Sequence, residues 1–293
     1  MTSPIGDRRA SRAVDISPLA RVMRRVDTPA DPAHARDSFA SGFPSIDRWL
    51  GGGLRRGDLI VIGGDVGAGK SALSLAMALR MAEAGVQCAF FTGEMSVERA
   101  LERLLAIEGR VRIDDLRRGD LAEVPRAAVG AAAVRLRERA PVLSQLPMGG
   151  CDALAGEIRR SLDAQVVFVD SLQGLVGNVR AQEEELAAAV RVLKALAVEL
   201  DLVVVLTSHV PLLDGRRPDP RPTLDDFGAQ GAIKQQADVI LGIFREAMYQ
   251  PGTGVEGATE VLIRKNRNGS LGYVDLYFYE QWLRFEDMLD PDR

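Results

Sequence analysis

The sequence has few of the residues that build cross-linked or metal-stabilised folds. Its 293 residues include two cysteines, Cys88 and Cys151, and two histidines, His34 and His209. These four residues show no ligand-like spacing, so neither a disulfide framework nor a structural zinc site is indicated. We therefore expect a reducing compartment and a cytoplasmic location.

Long apolar runs are also lacking. No stretch of about 18 uncharged apolar residues occurs, which is the length that a membrane-spanning helix needs. The amino-terminal residues carry charges at Asp7, Arg8, Arg9 and Arg12, where a signal peptide would be apolar. We therefore expect no association with a membrane.

A large excess of one charge is missing as well. The net charge is -4 at pH 7, so binding to nucleic acid would have to come from a local basic patch. Lysine is scarce among the 37 basic residues and occurs only at Lys70, Lys194, Lys234 and Lys265. The hydrophobic content of 46% is enough for one large domain with a buried core.

Residues 1–37 differ in composition from the rest of the chain. Prolines and scattered charges surround one short amphipathic stretch, from Ile16 to Val26. This pattern predicts an arm with one short helix, which docks on the main domain or on a neighbouring subunit. A mostly disordered tail is the alternative. Residues 38–293 form the second predicted domain.

This second domain alternates short apolar runs with helical patterns, which predicts an α/β fold. Buried strands separated by helices form a mostly parallel, twisted sheet flanked by helices, and the last two runs form a terminal antiparallel hairpin at the sheet edge. The predicted strands are Leu59–Ile62, Gln87–Phe91, Val166–Val169, Leu202–Leu206, Val239–Phe244, Glu260–Ile263 and Tyr273–Phe278. The predicted helices are Ser71–Ala84, Val97–Ile107, Arg126–Glu138, Ala153–Leu162 and Glu183–Leu200.

The motif GDVGAGKS lies between the first of these strands and the first helix, which is the context of a phosphate-binding P-loop. Glycines let successive backbone N–H groups face phosphate oxygens, Lys70 places a charge between the β- and γ-phosphates, and the Ser71 hydroxyl coordinates Mg²⁺. A chance match is the alternative, but the strand, glycines, lysine, hydroxyl and helix all agree. The predicted nucleotide-binding residues are Gly64, Asp65, Val66, Gly67, Ala68, Gly69, Lys70 and Ser71.

Three further residues end predicted strands and would meet the P-loop at the carboxyl edge of the sheet. Asp170 follows VVFV and would complete the Mg²⁺ site; a plain aspartate at a turn is the alternative. Glu94 would polarise the attacking water, or it is a helix-start acid near the Ser96 cap. His209 would sense the γ-phosphate, although a lone histidine is more often structural.

In this order, these features resemble the ATPase domain of the DnaB family of replicative helicases, a RecA-like fold. The likeness runs from about Phe39 to Phe285 and is carried by SGFPSIDRWLGGGLRRGDLIVIGG, FFTGEMSVERALERLL, FVDSLQGL, ADVILGIFRE and IRKNRNGSLGYVDLYF. The resemblance implies an ATP-dependent helicase of DNA replication or repair with ATP and Mg²⁺ as cofactors. It places Glu94 on the catalytic glutamate and Asp170 on the Walker B aspartate.

The resemblance also assigns Lys265 and Arg267 to the family's basic finger, which reaches a neighbouring subunit's nucleotide. This implies a homo-oligomer, in this family a hexameric ring, whose activity depends on assembly. Solvated charges on an edge strand are the alternative.

Three features depart from the family pattern. Only about 37 residues precede the ATPase domain, where the helicases carry a further domain, and His209 replaces the glutamine of bacterial DnaB. Gly228 and Ala229 stand where the family has an arginine and a glutamate in its DNA-contacting loop.

Basic residues in the preceding loop would compensate for that loss by contacting single-stranded DNA, namely Arg216, Arg217 and Arg221. The alternative is a flexible solvated loop whose charge is partly offset by Asp214 and Asp219.

Two functions therefore stay open. One is a DnaB-like motor that hydrolyses MgATP at subunit interfaces to move along single-stranded DNA. The other is a regulatory or assembly ATPase, like KaiC or RadA in logic, that binds a protein partner without unwinding DNA. In either case residues 1–37 are the predicted contact for a protein partner.

Overall fold

The computed structural model describes residues 19–20, 22–23, 37–160, 163–176, 182–210, 217–250, 252 and 255–288. The chain divides into two compact units, Met1–Ser38 and Phe39–Arg293. In the first unit, Leu19, Ala20, Val22 and Met23 are helical. The remainder of the predicted arm helix lies outside the described residues.

From Ser38 onward, the chain consists of strands and helices that alternate for most of its length. The strands are β1 Ser38–Phe39, β2 Leu54–Arg55, β3 Leu59–Gly64, β4 Cys88–Thr92, β5 Val142–Gln145, β6 Val166–Asp170, β7 Val203–His209, β8 Val239–Phe244, β9 Ala258–Asn266, β10 Gly272–Tyr279 and β11 Arg284–Asp287. The helices are α1 Pro44–Trp49, α2 Lys70–Glu83, α3 Val97–Gly109, α4 Ile113–Arg118, α5 Glu123–Arg139, α6 Gly150–Arg160, α7 Gln182–Leu200 and α8 Ala232–Gln236.

Within the described residues, nine strands form one sheet in the order β11-β10-β9-β8-β3-β7-β6-β4-β5. The six strands from β8 to β5 are parallel, and β9, β10 and β11 each run antiparallel to their neighbours. This confirms the predicted α/β class with its terminal antiparallel strands. The predicted hairpin of β9 and β10 is not the edge itself, because β11 covers it.

Alternation along the central strands creates a core on each face of the sheet. In β3, Ile60 and Ile62 pack into the core under α2, whereas Leu59 and Val61 pack into the core under α7. A two-residue side-chain period forces this division, since successive side chains point to opposite faces. Because both faces are covered by helices, the site's polar groups are left at the ends of the strands.

Seven short elements have no counterpart among the predicted runs, namely α1, α4, α8, β1, β2, β5 and β11. The strand β5 illustrates the reason: Val142 at its start is 66% exposed, and the strand lies at the sheet edge. Such a strand lacks the continuous apolar pattern of a buried one. None of the described helices has the length and apolarity needed to cross a membrane.

Candidate nucleotide-binding site

The phosphate loop connects β3 to α2 at the carboxyl edge of the sheet. Gly67 and Gly69 have φ angles of +81° and +106°, in the left-handed region that glycine adopts most readily. A Cβ on Gly69 would also lie 2.9 Å from the Phe285 ring. Lys70 bends back over the loop, and its Nζ donates to the carbonyl oxygens of Gly64 at 3.1 Å and Asp65 at 2.9 Å. The Lys70 ammonium is therefore hydrogen-bonded to the backbone of the loop itself.

Asp170, at the end of β6, lies next to the first turn of α2. Its Oδ1 accepts hydrogen bonds from Ser71 Oγ at 3.0 Å and Thr207 Oγ1 at 2.6 Å. The side chain is fully buried, and its Oδ2 has no hydrogen-bond partner among the described residues. A buried carboxylate oxygen without a partner costs free energy unless a cation or donor meets it.

Burial perturbs the ionisation of both charged groups. It raises the pKa of Asp170, although the hydrogen bonds from Thr207 and Ser71 oppose this. It lowers the pKa of Lys70, although the charges of Glu94, Asp170 and Asp65 oppose it. Both shifts show that the site disfavours isolated charge, so the charges of a bound ligand would be felt strongly there.

The residues fit a Mg²⁺ ion. Ser71 Oγ and the carboxylate of Asp170 would hold it, and Mg²⁺ typically takes one or two protein oxygens and fills its other positions with water and phosphate. In the described part of the chain, no cluster of three or more His, Cys, Asp and Glu side chains could hold a metal by itself.

Glu94 follows β4 and faces the phosphate loop. Its Oε1 lies 2.6 Å from Nε2 of His209, the last residue of β7. Burial opposes the ionisation of Glu94, but contacts with Ser171 and His209 and the charge of Lys70 outweigh it and lower its pKa. The α3 helix is capped instead by Ser96, whose Oγ accepts from the Arg99 amide. Glu94 is therefore directed at the site and does not cap the helix.

A cavity of 580 Å³ opens between the phosphate loop, α3 and the strand β10. Lys70, Ser71, Glu94 and His209 line it, as predicted residues brought together by the sheet edge. Several lining residues were not predicted, and they share a charged or large apolar side chain: Arg99, Glu102, Arg103, Arg117, Arg245, Phe278 and Leu283. The four-residue spacing of Arg99 and Arg103, soon after Glu94, is the sequence signal that could have revealed that pair.

Arg245 closes one end of this cavity. It is 7% exposed, and its Nη1 donates to the Gly67 carbonyl at 3.4 Å. The guanidinium forms an ion pair with Glu280 and lies 5.0 Å from the centroid of the Phe278 ring. Its Nε has no hydrogen-bond partner among the described residues. This end thus offers a planar cation and an aromatic ring to a ligand.

The side chain of Asp65 ties the phosphate loop to the segment after β8. Its Oδ1 accepts from the Val66 amide at 2.7 Å, and its Oδ2 accepts from the Tyr249 hydroxyl at 3.0 Å. Burial and the Asp65 carboxylate together raise the pKa of Tyr249 to about 12. Tyr249 in turn stacks on Phe244, with 5.3 Å between ring centroids. These contacts hold the loop in place before any ligand binds.

Lys265 and Arg267 lie at the opposite edge of the sheet. Lys265 pairs with Ile240 near the start of β8, and the Arg267 amide donates to the Asp238 carbonyl at 2.8 Å. The phosphate loop begins level with Ile243, which pairs with Gly64 and is five residues after Asp238. At about 3.3 Å per residue, this places Arg267 roughly 16 Å from the loop along the strand direction. The structure therefore does not bring these two cations to their own chain's site.

The predicted DNA-contacting arginines are engaged within the chain. Arg217 donates to both carboxylate oxygens of Asp226 at 2.8 Å. Arg221 donates to both oxygens of Glu260, at 2.6 and 2.5 Å, and lies 4.8 Å from the centroid of the Phe244 ring. Arg216 lies outside the described residues.

The segment of Gly228 and Ala229 packs against α7. The amide of Gln230, which follows them, donates to Glu183 Oε2 at 3.0 Å. The φ angles of Ala229 and Gln230 are both positive, at 59° and 49°. Neither Gly228 nor Ala229 can supply a basic side chain to DNA at these loop positions.

The chain is similar to proteins of one known family. The family model "DnaB-like helicase C terminal domain" matches residues 38–287. The replicative DNA helicase DnaB of Geobacillus stearothermophilus is 29% identical over 266 residues, which cover 87% of this chain and 58% of that protein. For DnaB of Treponema pallidum (strain Nichols), the identity is 32% over 254 residues, with coverages of 84% and 55%. The chain thus spans a little over half the length of these curated relatives.

A solved structure supports the same fold. It is that of a DnaB-like replicative helicase, described together with its interactions with primase. The TM-score is 0.83 at 23% identity, over 92% of this chain and 66% of that one. At this identity the likeness shows the fold.

Proposed function

The chain belongs to the DnaB-like helicase C-terminal domain family, and on that premise we propose that it is the motor domain of an oligomeric helicase. It hydrolyses MgATP at subunit interfaces and moves along single-stranded DNA in replication or repair, in the cytoplasm. The observation that carries this proposal is the meeting of Lys70, Ser71, Asp170 and Glu94 at one sheet edge, around a buried carboxylate oxygen that lacks a partner.

Nucleotide binding is assigned to the residues of the phosphate loop and the cavity. On binding, the phosphates would take over the Lys70 ammonium from the two loop carbonyls that it now contacts. Ser71 and Asp170 would hold Mg²⁺, whose positive charge would offset the negative charge of the phosphates. Arg245 and Phe278, which line the cavity beside the phosphate loop, suit the planar base, since arginine and aromatic faces stack on flat rings.

Activation of water is assigned to Glu94. Its lowered pKa keeps the carboxylate ionised at neutral pH, as a general base requires. His209 orients it through the 2.6 Å contact and stands on the adjacent strand end, where a γ-phosphate would meet it. Loss of that phosphate would change the partner of His209, which gives the following loop a signal of the nucleotide state.

Lys265 and Arg267 are assigned to the site of a neighbouring subunit. Their position at the edge opposite the phosphate loop, with Arg267 roughly 16 Å from it along the strands, supports action in trans over action in cis. A head-to-tail interface of this kind closes into a ring when the rotation permits, and we propose a hexamer. An arginine contributed in trans stabilises the charge that develops during phosphoryl transfer.

The test is ATP turnover with and without single-stranded DNA, for the wild type and for Arg267→Ala. We expect DNA to stimulate the wild type, and Arg267→Ala to lower turnover by about 10³-fold or more, the scale of an arginine finger. Unwinding of a forked duplex by the wild type completes the assay. Turnover that no nucleic acid stimulates would contradict the motor, and full turnover in Arg267→Ala would contradict the finger.

A second function has specific support. Arg217 and Arg221 are bound to Asp226 and Glu260 within the chain, and the net charge of -4 offers no general attraction to DNA. These observations favour a regulatory or assembly ATPase that binds a protein partner, through residues 1–37 or elsewhere. This second function would be supported if the chain forms oligomers in the presence of ATP and its ATP turnover does not change when DNA is added.

A further inference from the structure

Asp238 is a buried carboxylate between the central strands and the two cations assigned to the neighbour's site. It precedes β8 and is 2% exposed. Its Oδ2 accepts from the Leu59 amide at 2.8 Å and from Lys194 Nζ at 2.6 Å. A buried charge persists only when paired and hydrogen-bonded, and these two donors meet that requirement.

The second oxygen of the same carboxylate faces Arg267. Arg267 Nε lies 3.3 Å from Asp238 Oδ1, and its Nη2 donates to the Gln235 carbonyl at 3.3 Å. The Arg267 side chain is nevertheless 54% exposed. One side of the guanidinium is thus held by the chain while the other is open to a neighbouring molecule.

A β-bulge in β9 places Lys265 on the same side of the strand as Arg267. Ile240 pairs with Lys265 but Leu241 pairs with Ile263, so Arg264 is an extra residue in β9. Without it, Lys265 would continue the alternation that buries Val261 and Ile263. Lys265 instead donates to the carbonyl oxygens of Lys234 and Gln235, at 2.7 and 3.3 Å, next to Arg267.

We propose that Asp238 is a positioning residue for the trans-acting finger: it holds Arg267 at the angle from which it enters the neighbour's nucleotide site. This inference rests on the trans role of Arg267 in the proposed function. An anchored guanidinium has lost rotamer freedom before assembly, so less is lost when it enters the neighbour's site. Lys194 serves this arrangement by fixing the orientation of the Asp238 carboxylate.

Mixed oligomers of full-length chains separate the two halves of a shared site. A Lys70→Ala chain supplies a finger without a working phosphate loop, and an Arg267→Ala chain supplies a phosphate loop without its finger. Turnover of the mixture should exceed that of either chain alone. Asp238→Asn is then placed in one chain or in the other.

Asp238→Asn in the finger-supplying chain should lower the turnover of the mixture by roughly 10- to 100-fold, the cost of a misplaced group. The same change in the Arg267→Ala chain should leave the turnover of the mixture unaltered. The matched control is Asp225→Asn, which breaks an exposed ion pair with Lys234 on the neighbouring helix and touches neither cation. It should have no effect in either chain.

Asp238 also contacts β3 through Leu59, and a purely structural role would damage its own chain's phosphate loop. Equal losses in both arrangements, or no loss in the finger-supplying chain, would therefore overturn the proposal. Full turnover in Arg267→Ala alone would overturn the trans finger itself, before Asp238 is varied. If thermal unfolding shows that Asp238→Asn does not fold, Arg267→Lys in the finger-supplying chain tests the same contact. It keeps the positive charge but removes the Nε that lies near Asp238. Undiminished turnover of the mixture would then count against the positioning role.

Discussion

At the scale of single residues, the carboxyl group of Asp170 lies where its charge is disfavoured. Burial raises its pKa in the folded protein, so folding is favoured by its protonation. This contribution to stability is complete below the ordinary carboxyl pKa and is lost as the pH rises through the raised value. At neutral pH the ionised group therefore weakens the fold when no cation is bound.

Asp170→Asn should therefore stabilise the nucleotide-free protein while it slows turnover. We expect a higher Tm at pH 7, by about 2–4 °C per kcal/mol relieved, and kcat lower by about 100- to 1,000-fold. Thermal unfolding without MgATP measures the stability of the nucleotide-free protein, and unfolding with MgATP measures the stabilisation by the ligand. MgATP should raise the Tm of the wild type more than that of the variant. A variant that melts below the wild type would contradict this account.

Glu94→Gln should separate binding from hydrolysis. The amide keeps the size of the side chain but cannot accept a proton, so kcat should fall about 100- to 10,000-fold while nucleotide affinity stays within a few-fold. Single-turnover hydrolysis and nucleotide-binding titrations measure the two quantities. Glu98→Gln, an exposed acid in the first turn of α3, is the control and should behave like the wild type.

His209→Gln should change the pH dependence of turnover. The contact with His209 helps to lower the pKa of Glu94, so its loss should raise that pKa. Activity needs the Glu94 carboxylate and is lost as the pH falls through its pKa. The acid limb of the kcat/KM profile should therefore move to higher pH in the variant. A limb that stays in place would show that His209 does not influence Glu94.

At the scale of elements, the contact between Asp65 and Tyr249 joins the phosphate loop to the turn after β8. Tyr249→Phe removes the hydroxyl and leaves the ring stacked on Phe244. A single hydrogen bond of this kind contributes about 0.5–1.5 kcal/mol, so the KM for ATP should rise about 2- to 10-fold with little change in kcat. Steady-state kinetics with Tyr273→Phe, a half-exposed tyrosine on β10, provide the comparison. An unchanged KM would mean that the loop keeps its shape without this bond.

At the scale of the whole molecule, the phosphate loop and Arg267 lie at opposite edges of one sheet. On the proposed trans role of Arg267, a complete site needs two copies of the chain, and turnover per chain should rise with protein concentration as oligomers form. Sedimentation and ATP turnover over the same concentration range measure this. Constant turnover per chain across a monomer-to-oligomer transition would contradict a shared site.

The local motifs were predictable from the sequence because each depends on neighbours in the chain. A buried strand, a glycine turn and a helix define the phosphate loop around Lys70, and Asp170 and Glu94 each follow an apolar run that ends at the same sheet edge. The period of the apolar residues likewise determined the α/β class, since only strands covered on both faces bury such runs. The short elements β5 and β11 escaped prediction because they are partly exposed.

Contacts between distant segments were decided only by the tertiary structure. Arg245 reaches the cavity from β8, Asp238 meets Arg267 across an antiparallel pair, and Arg221 is neutralised by Glu260 on another strand. The bulge at Arg264, which turns Lys265 out of the core, depends on how β9 registers with β8. Register and partner choice arise from packing over long sequence separations, and no local pattern records them. The sequence by itself therefore determined which residue types lie at this edge of the sheet, because each follows a local apolar run, and the tertiary structure decided which distant side chains contact them.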